Sequence, residues 1–231
     1  MREQPLIAST SKTALAGVAG ALMLGSSFLI LPSPPPLTAS LAHLVDYADG
    51  HHDLLLWTAW LEAAGSALFV IFLVALASTS GGDRRTARLL TVLCGGAVLA
   101  VGLFYAICLI AIAESAQLGG TQLRTTLIAY GLWGASEHAF LLAPPVFLPL
   151  GFALSGSSAL GSRFSRTAVA LGLAGILLGL AGLFYAGPQN AGATGVAINL
   201  LVGLQAVWVL AAAVSLHRRS DPTARVAGET A

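Results

Sequence analysis

Six stretches of about 20 residues in this chain carry almost no charge, and that feature limits the fold more than any other. The hydrocarbon core of a bilayer is ~30 Å thick, so a helix rising ~1.5 Å per residue needs about 20 apolar residues to cross it. The segments run Thr13–Leu31, Leu54–Ala77, Leu89–Ala113, Leu127–Leu154, Thr167–Ala186 and Gly195–Leu216. Their length predicts an all-α polytopic membrane helix bundle of six transmembrane helices, with residues 1–231 forming one integral membrane domain. Composition agrees: 56% of residues are hydrophobic and 9% charged, against about 25% charged in a soluble domain. A soluble globular domain and a disordered chain are excluded. A net charge of +1 leaves no basic surface for nucleic acid.

Two segments need comment. The fourth contains Pro144, Pro145 and Pro149, which predict a kink or break in its second half. The first follows Arg2 and Lys12, as a secretory leader would. Its apolar run exceeds the usual ~7–15 residues, however, and Pro34–Pro36 follow it where a cleavage site would need small residues, so it reads as a retained helix. Cys94 and Cys108 share one segment, about 21 Å apart by helix rise, too far for a disulfide. Arginine outnumbers lysine heavily, the mark of a high-GC genome, and the expected location is a bacterial cytoplasmic (inner) membrane, in an actinobacterium.

Basic residues orient the bundle. Arg2 and Lys12, then Arg84, Arg85 and Arg88, then Arg163 and Arg166, then Arg218, Arg219 and Arg225 fall on one side when the spans alternate. Arg124 alone falls on the other. Both termini are therefore expected in the cytoplasm, with residues 217–231 a short disordered tail. The largest outer connection, Pro32–Asp53, opens on Pro32-Ser33-Pro34-Pro35-Pro36. Within it Leu41, Leu44, Val45 and Ala48 recur at helical spacing, with Thr38 or Ser40 available as N-cap and Gly50 as the stop. This predicts a short amphipathic helix lying on the outer membrane face.

Small residues mark helix contacts in a membrane, because lipid gives no hydrophobic drive and close backbone approach supplies the contact. Ala168, Gly172, Gly175, Gly179, Gly182 and Ala186 form one seam along the fifth span, packing within the chain, against a second copy, or against another membrane subunit. Gly102-Leu103-Phe104-Tyr105-Ala106 recurs as Gly182–Ala186, which suggests a hairpin repeat or coincidence in a chain rich in Ala, Gly and Leu.

Ionisable residues within spans are costly and are candidate functional groups. Glu62, flanked by Thr58 and Ser66 at four-residue spacing, makes a polar stripe on the second span. Glu137 and His138 lie well inside the fourth. Asn199 and Gln205 lie on the sixth, and Tyr105 and Tyr185 in the outer halves of the third and fifth. Glu62, Glu137, His138, Asn199, Tyr105 and Tyr185 share a depth and would line a polar cavity open to the outside, with the proline-broken helix as hinge. The alternative is structural: Glu62 bonded to Ser66 or a neighbouring helix, and Glu137 and His138 paired with Gln205 or Glu62. Trp57, Trp60 and Trp133 read as interface anchors or packing. His43, Asp46, Asp49, His51, His52 and Asp53 have metal-compatible donors but match no defined site, and Asp53 suits an N-cap, so no metal is expected. No nucleotide loop, zinc-protease motif, nucleophile elbow or haem-ligand pair occurs, so no cofactor is expected.

The order of the parts resembles the small six-span actinobacterial membrane proteins grouped as domain of unknown function 4386. Pro32–Asp53, Arg84–Arg88 and Arg163–Gly182 carry the resemblance. It implies an integral membrane location and no established activity. Three functions fit the residues: a small-solute or proton-linked transporter or binding protein, a structural or regulatory subunit, and a lipid-active enzyme using Glu137 and His138 as acid and base.

Overall fold

Lipid leaves backbone polar groups no partner but each other, and every described regular element is a helix. The computed structural model describes all residues except 1–3, 33–34, 37–38, 80–83, 119–122, 143–145, 156, 158–159, 186–190 and 221–231. Side chains are likewise not described for 4–10, 123, 135–142, 182–185, 191–195, 198–199 and 219–220. The helices are α1 (Gln4–Ile30), α2 (Leu41–Gly50), α3 (His52–Ser78), α4 (Arg85–Gln117), α5 (Leu123–Leu142), α6 (Phe147–Leu154), α7 (Ser162–Tyr185) and α8 (Ala191–Ser220).

Among the described residues five helices are long and apolar enough to cross a membrane: Ser11–Ile30 of α1, all of α3 and α4, Ser162–Ala181 of α7 and Leu200–Arg218 of α8. The fourth expected span is divided between α5 and α6. Pro149 sits in the first turn of α6, where its missing N–H has no intrahelical acceptor to lose. At eight residues α6 is only about 12 Å long and cannot cross alone. Large apolar side chains such as Leu15, Leu29, Ile107, Leu177 and Val207 point away from the protein. A soluble monomer rarely exposes so much contiguous apolar surface.

Neighbouring helices close into a ring, α1–α3–α4–α5–α7–α8 and back to α1, while α6 touches α3, α4 and α7. Glycines allow the closest approaches. A Cβ on Gly20 of α1 would lie 2.7 Å from the Phe69 nitrogen of α3, so only glycine admits that crossing. On Gly172 of α7 it would overlap the backbone of Leu148 in α6. Side chains then lock the contacts. Ser165 Oγ donates to the Gly151 carbonyl across α7 and α6 at 2.9 Å, and Trp208 Nε1 of α8 donates to Thr167 Oγ1 of α7 at 2.9 Å. The Arg84 guanidinium, just before α4, donates to the Phe152 carbonyl at 2.7 Å and to Ser155 Oγ, pinning the end of α6.

Among the described residues two apolar cores result. One gathers Phe69–Ala77 of α3 around Phe147, Leu150 and Leu154 of α6 and Trp208–Leu216 of α8, at the end bearing Arg84. The other joins α2, the start of α3, Ala106–Ala116 of α4 and Tyr130 and Trp133 of α5. Helix α2 caps this second end. Ser40 is its N-cap, accepting from the His43 amide at 3.3 Å, and Gly50 is its last residue. Its apolar face, Leu44, Tyr47 and Ala48, is buried against the bundle, not spread on a membrane surface. Tyr130 Oη of α5 donates to the Leu44 carbonyl at 3.1 Å and fixes that orientation.

Replacing Gly20 by valine should destabilise the protein by about 2–3 kcal/mol, because the α1 and α3 backbones must separate. Gly25→Ala, with open space around its Cβ, should change stability by less than about 0.5 kcal/mol. Thermal unfolding in detergent compares the two; equal effects would contradict the α1–α3 crossing.

Candidate functional site

The two cores do not meet directly on α1, α3 and α4. On α3 the second core ends at Ala59, with Ala63 packed at its edge, and the first begins at Phe69; Glu62 and Ser66 fall in the interval. On α4 the partly buried Leu99 belongs to one core and Tyr105 to the other, with Gly102 between. On α1 the corresponding neighbours are Leu24 and, just past the end of the helix, Leu31, with Ser27 between. Three helices thus interrupt their apolar faces at one level, with polar side chains on α1 and α3 and with glycine on α4.

Geometry at this level is tight. Thr58, Glu62 and Ser66 repeat every four residues, so they share the inward face of α3, and all are buried. Glu62 is 3% exposed. Ser27 Oγ donates to Glu62 Oε2 at 2.8 Å and also lies 2.8 Å from the Leu24 carbonyl of its own helix. Ser66 fills the notch opposite Gly102, where any Cβ would overlap its hydroxyl and lie 3.9 Å from Glu62 Oε1. The carboxyl is therefore held between α1 and α4. Among the described residues no basic side chain forms an ion pair with it.

The other expected cavity residues are placed unequally. Tyr105, one turn beyond Gly102, is half-buried and turns its ring to Trp133 of α5, centroids 6.1 Å apart. That contact is on the α5 side, whereas the Glu62 carboxyl bonds to α1. Glu137, His138, Tyr185 and Asn199 lie on α5, α7 and α8, and their side chains fall outside the described residues. Along the fifth-span seam, Gly172 packs on α6 within the chain, Gly179 is buried and Gly175 half-buried, and Gly182 falls outside.

Helix α2 closes the end of the bundle nearest Glu62. Tyr47 Oη donates to the Pro32 carbonyl at 2.7 Å, and the Tyr47 ring stacks on His51 at 4.6 Å. His51 Nδ1 lies 2.8 Å from the Tyr47 carbonyl. His51, not Asp53, occupies the N-cap of α3; Asp53 lies within its first turn, where a carboxylate still complements the helix dipole. His52 bridges Asp53 at 3.1 Å and Glu114 of α4 at 3.8 Å. Among the described residues no three His, Cys, Asp or Glu side chains converge as metal ligands.

Sequence reasoning missed Ser27. Matching residues by depth fails here, because Ser27 lies three residues from the end of α1 while Glu62 lies ten residues into α3. Helix α3 projects about 10 Å past the end of α1 by helix rise, and α2 folds over the projecting part. Compared with family models, curated proteins and solved structures, the chain matches none.

Burial pushes the Tyr47 hydroxyl from 10.0 up to about 12. The folded state holds that proton more tightly than the unfolded one, so the stabilisation is complete below about pH 10 and disappears as pH rises through about 12. Tyr47→Phe should cost about 1 kcal/mol at neutral pH through the lost Pro32 bond, and should flatten the alkaline decline. Unfolding curves between about pH 8 and 12 test this; an unchanged decline in the variant would contradict it.

Proposed function

We propose that this is a six-span protein of the bacterial cytoplasmic membrane, with α5 and α6 together making the fourth crossing and both termini in the cytoplasm. In this reading α2 lies at the outer end and the polar level around Glu62 is a binding site for a proton or a small solute in the outer half of the bundle. The protein is then a transporter or solute-binding protein rather than an enzyme. Clustering of the Arg84 and Ser155 connections at one end supports the orientation, since basic loops stay inside.

A single observation carries the functional reading: Glu62 is buried in an apolar bundle with hydroxyl neighbours and no cation paired to it among the described residues. A charged side chain at the centre of a membrane helix costs on the order of 2.5–3.5 kcal/mol. One cross-helix polar bond returns only about 0.6–2 kcal/mol. A serine–glutamine pair would join α1 to α3 without any ionisable group. The arithmetic favours a carboxyl kept for its chemistry. Glu137, His138, Asn199, Tyr105 and Tyr185 are proposed as further lining residues.

The Ser27–Glu62 bond itself supports a second reading, in which the pair is a staple inside a scaffold or regulatory subunit. Carbodiimide labelling of Glu62 in liposomes, read by mass spectrometry, separates the two. A site open to the outside exchanges its proton with that medium, so labelling should change with external pH between about 5 and 9 and be slowed by the transported solute. Labelling indifferent to external pH, or none, would leave only the staple.

A further inference from the structure

The outer face of α3 carries an unassigned groove of about 410 Å³, lined by Asp53, Leu56, Trp57 and Trp60. Asp53, Trp57 and Trp60 are spaced by four and three residues, which puts them on one helical stripe. The stripe faces away from the bundle: Trp57 is 60% and Trp60 56% exposed, and the Asp53 side chain is 92% exposed. The indoles meet edge to face with centroids 5.9 Å apart, so they present differently directed ring faces to the groove. His52 engages one Asp53 oxygen, Oδ1, at 3.1 Å.

Aromatic faces beside a carboxylate recognise one chemistry well, an organic ammonium. The ring quadrupoles attract the cation, and the carboxylate supplies its counter-charge and hydrogen bonds. Depth selects the source. Helix α3 has 27 residues and is about 40 Å long, the thickness of a bilayer with its headgroups. Asp53, its second residue, then lies at headgroup level, and Trp57 about 6 Å deeper at the hydrocarbon boundary. A soluble ammonium compound would have no use for the apolar floor formed by Leu56 and Trp60. A phospholipid would lay its acyl chains there.

The geometry points to a phospholipid site on α3, in which Asp53 and Trp57 hold the ammonium of an ethanolamine headgroup and Leu56 and Trp60 form the floor for its acyl chains. The site is independent of Glu62, whose carboxyl faces the opposite, inward side of the same helix.

The test is native mass spectrometry of the full chain in detergent with equal amounts of phosphatidylethanolamine and phosphatidylglycerol. The wild type should retain the ethanolamine lipid at least about fivefold more than the glycerol lipid. Asp53→Asn and Trp57→Leu should each cut that retention roughly 3- to 30-fold and leave the glycerol lipid unchanged. Trp57→Phe should restore part of it, and all three variants should stay folded, unfolding close to the wild-type temperature, because the side chains are exposed. Equal retention of both lipids by the wild type would overturn the site and leave the two tryptophans as general interfacial anchors. Displacement of the lipid by millimolar phosphoethanolamine would overturn the lipid assignment in favour of a soluble ammonium ligand.

Discussion

A bilayer offers no partner to a stray N–H, C=O or carboxyl, and this structure is organised around that fact. The backbone answers it with helices throughout the described residues. The one buried carboxyl among them answers it at the level of Ser27, Glu62, Ser66 and Gly102. Because lipid is as apolar as leucine, burial alone gives helices little reason to associate. Association has to come from close backbone approach and from polar bonds, and α1 and α3 use both. Gly20 lets the backbones touch, and Ser27 meets Glu62 about two turns further on.

The consequences extend to both ends of the molecule. Below the polar level, α6 fills the bundle, held by Gly172, Ser165 and Arg84. Above it, α3 and α4 project past the end of α1, and α2 covers the space that remains. The short helix α6 and the folded-over helix α2 are thus two ways of filling a ring of helices whose members end at different heights. The polar level thus lies between two apolar cores.

Much of this was legible in the sequence because its signals were local. Uncharged runs marked α1, α3, α4, α7 and α8; three prolines marked the division of α5 from α6; Ser40 and Gly50 marked the ends of α2. The direction of the α2 apolar face was not legible, since lipid and bundle select the same side chains. The stripe of Thr58, Glu62 and Ser66 followed from its spacing, but its partner did not. Ser27 is an ordinary small polar residue near a helix end, and only the unequal heights of α1 and α3 bring it to Glu62. Glycine spacing announced close contacts without naming the opposing helix; Gly172 finds Leu148, on the short helix that the prolines create.

The central claim is that Ser27 and Glu62 act as one unit joining α1 to α3. A double-mutant cycle with Ser27→Ala and Glu62→Leu, read by equilibrium unfolding in detergent, tests it most directly. Coupling of about 0.6–2 kcal/mol between the two substitutions is the expected result. Additivity within about 0.3 kcal/mol would mean that the two side chains act separately, and the account of the polar level would be wrong.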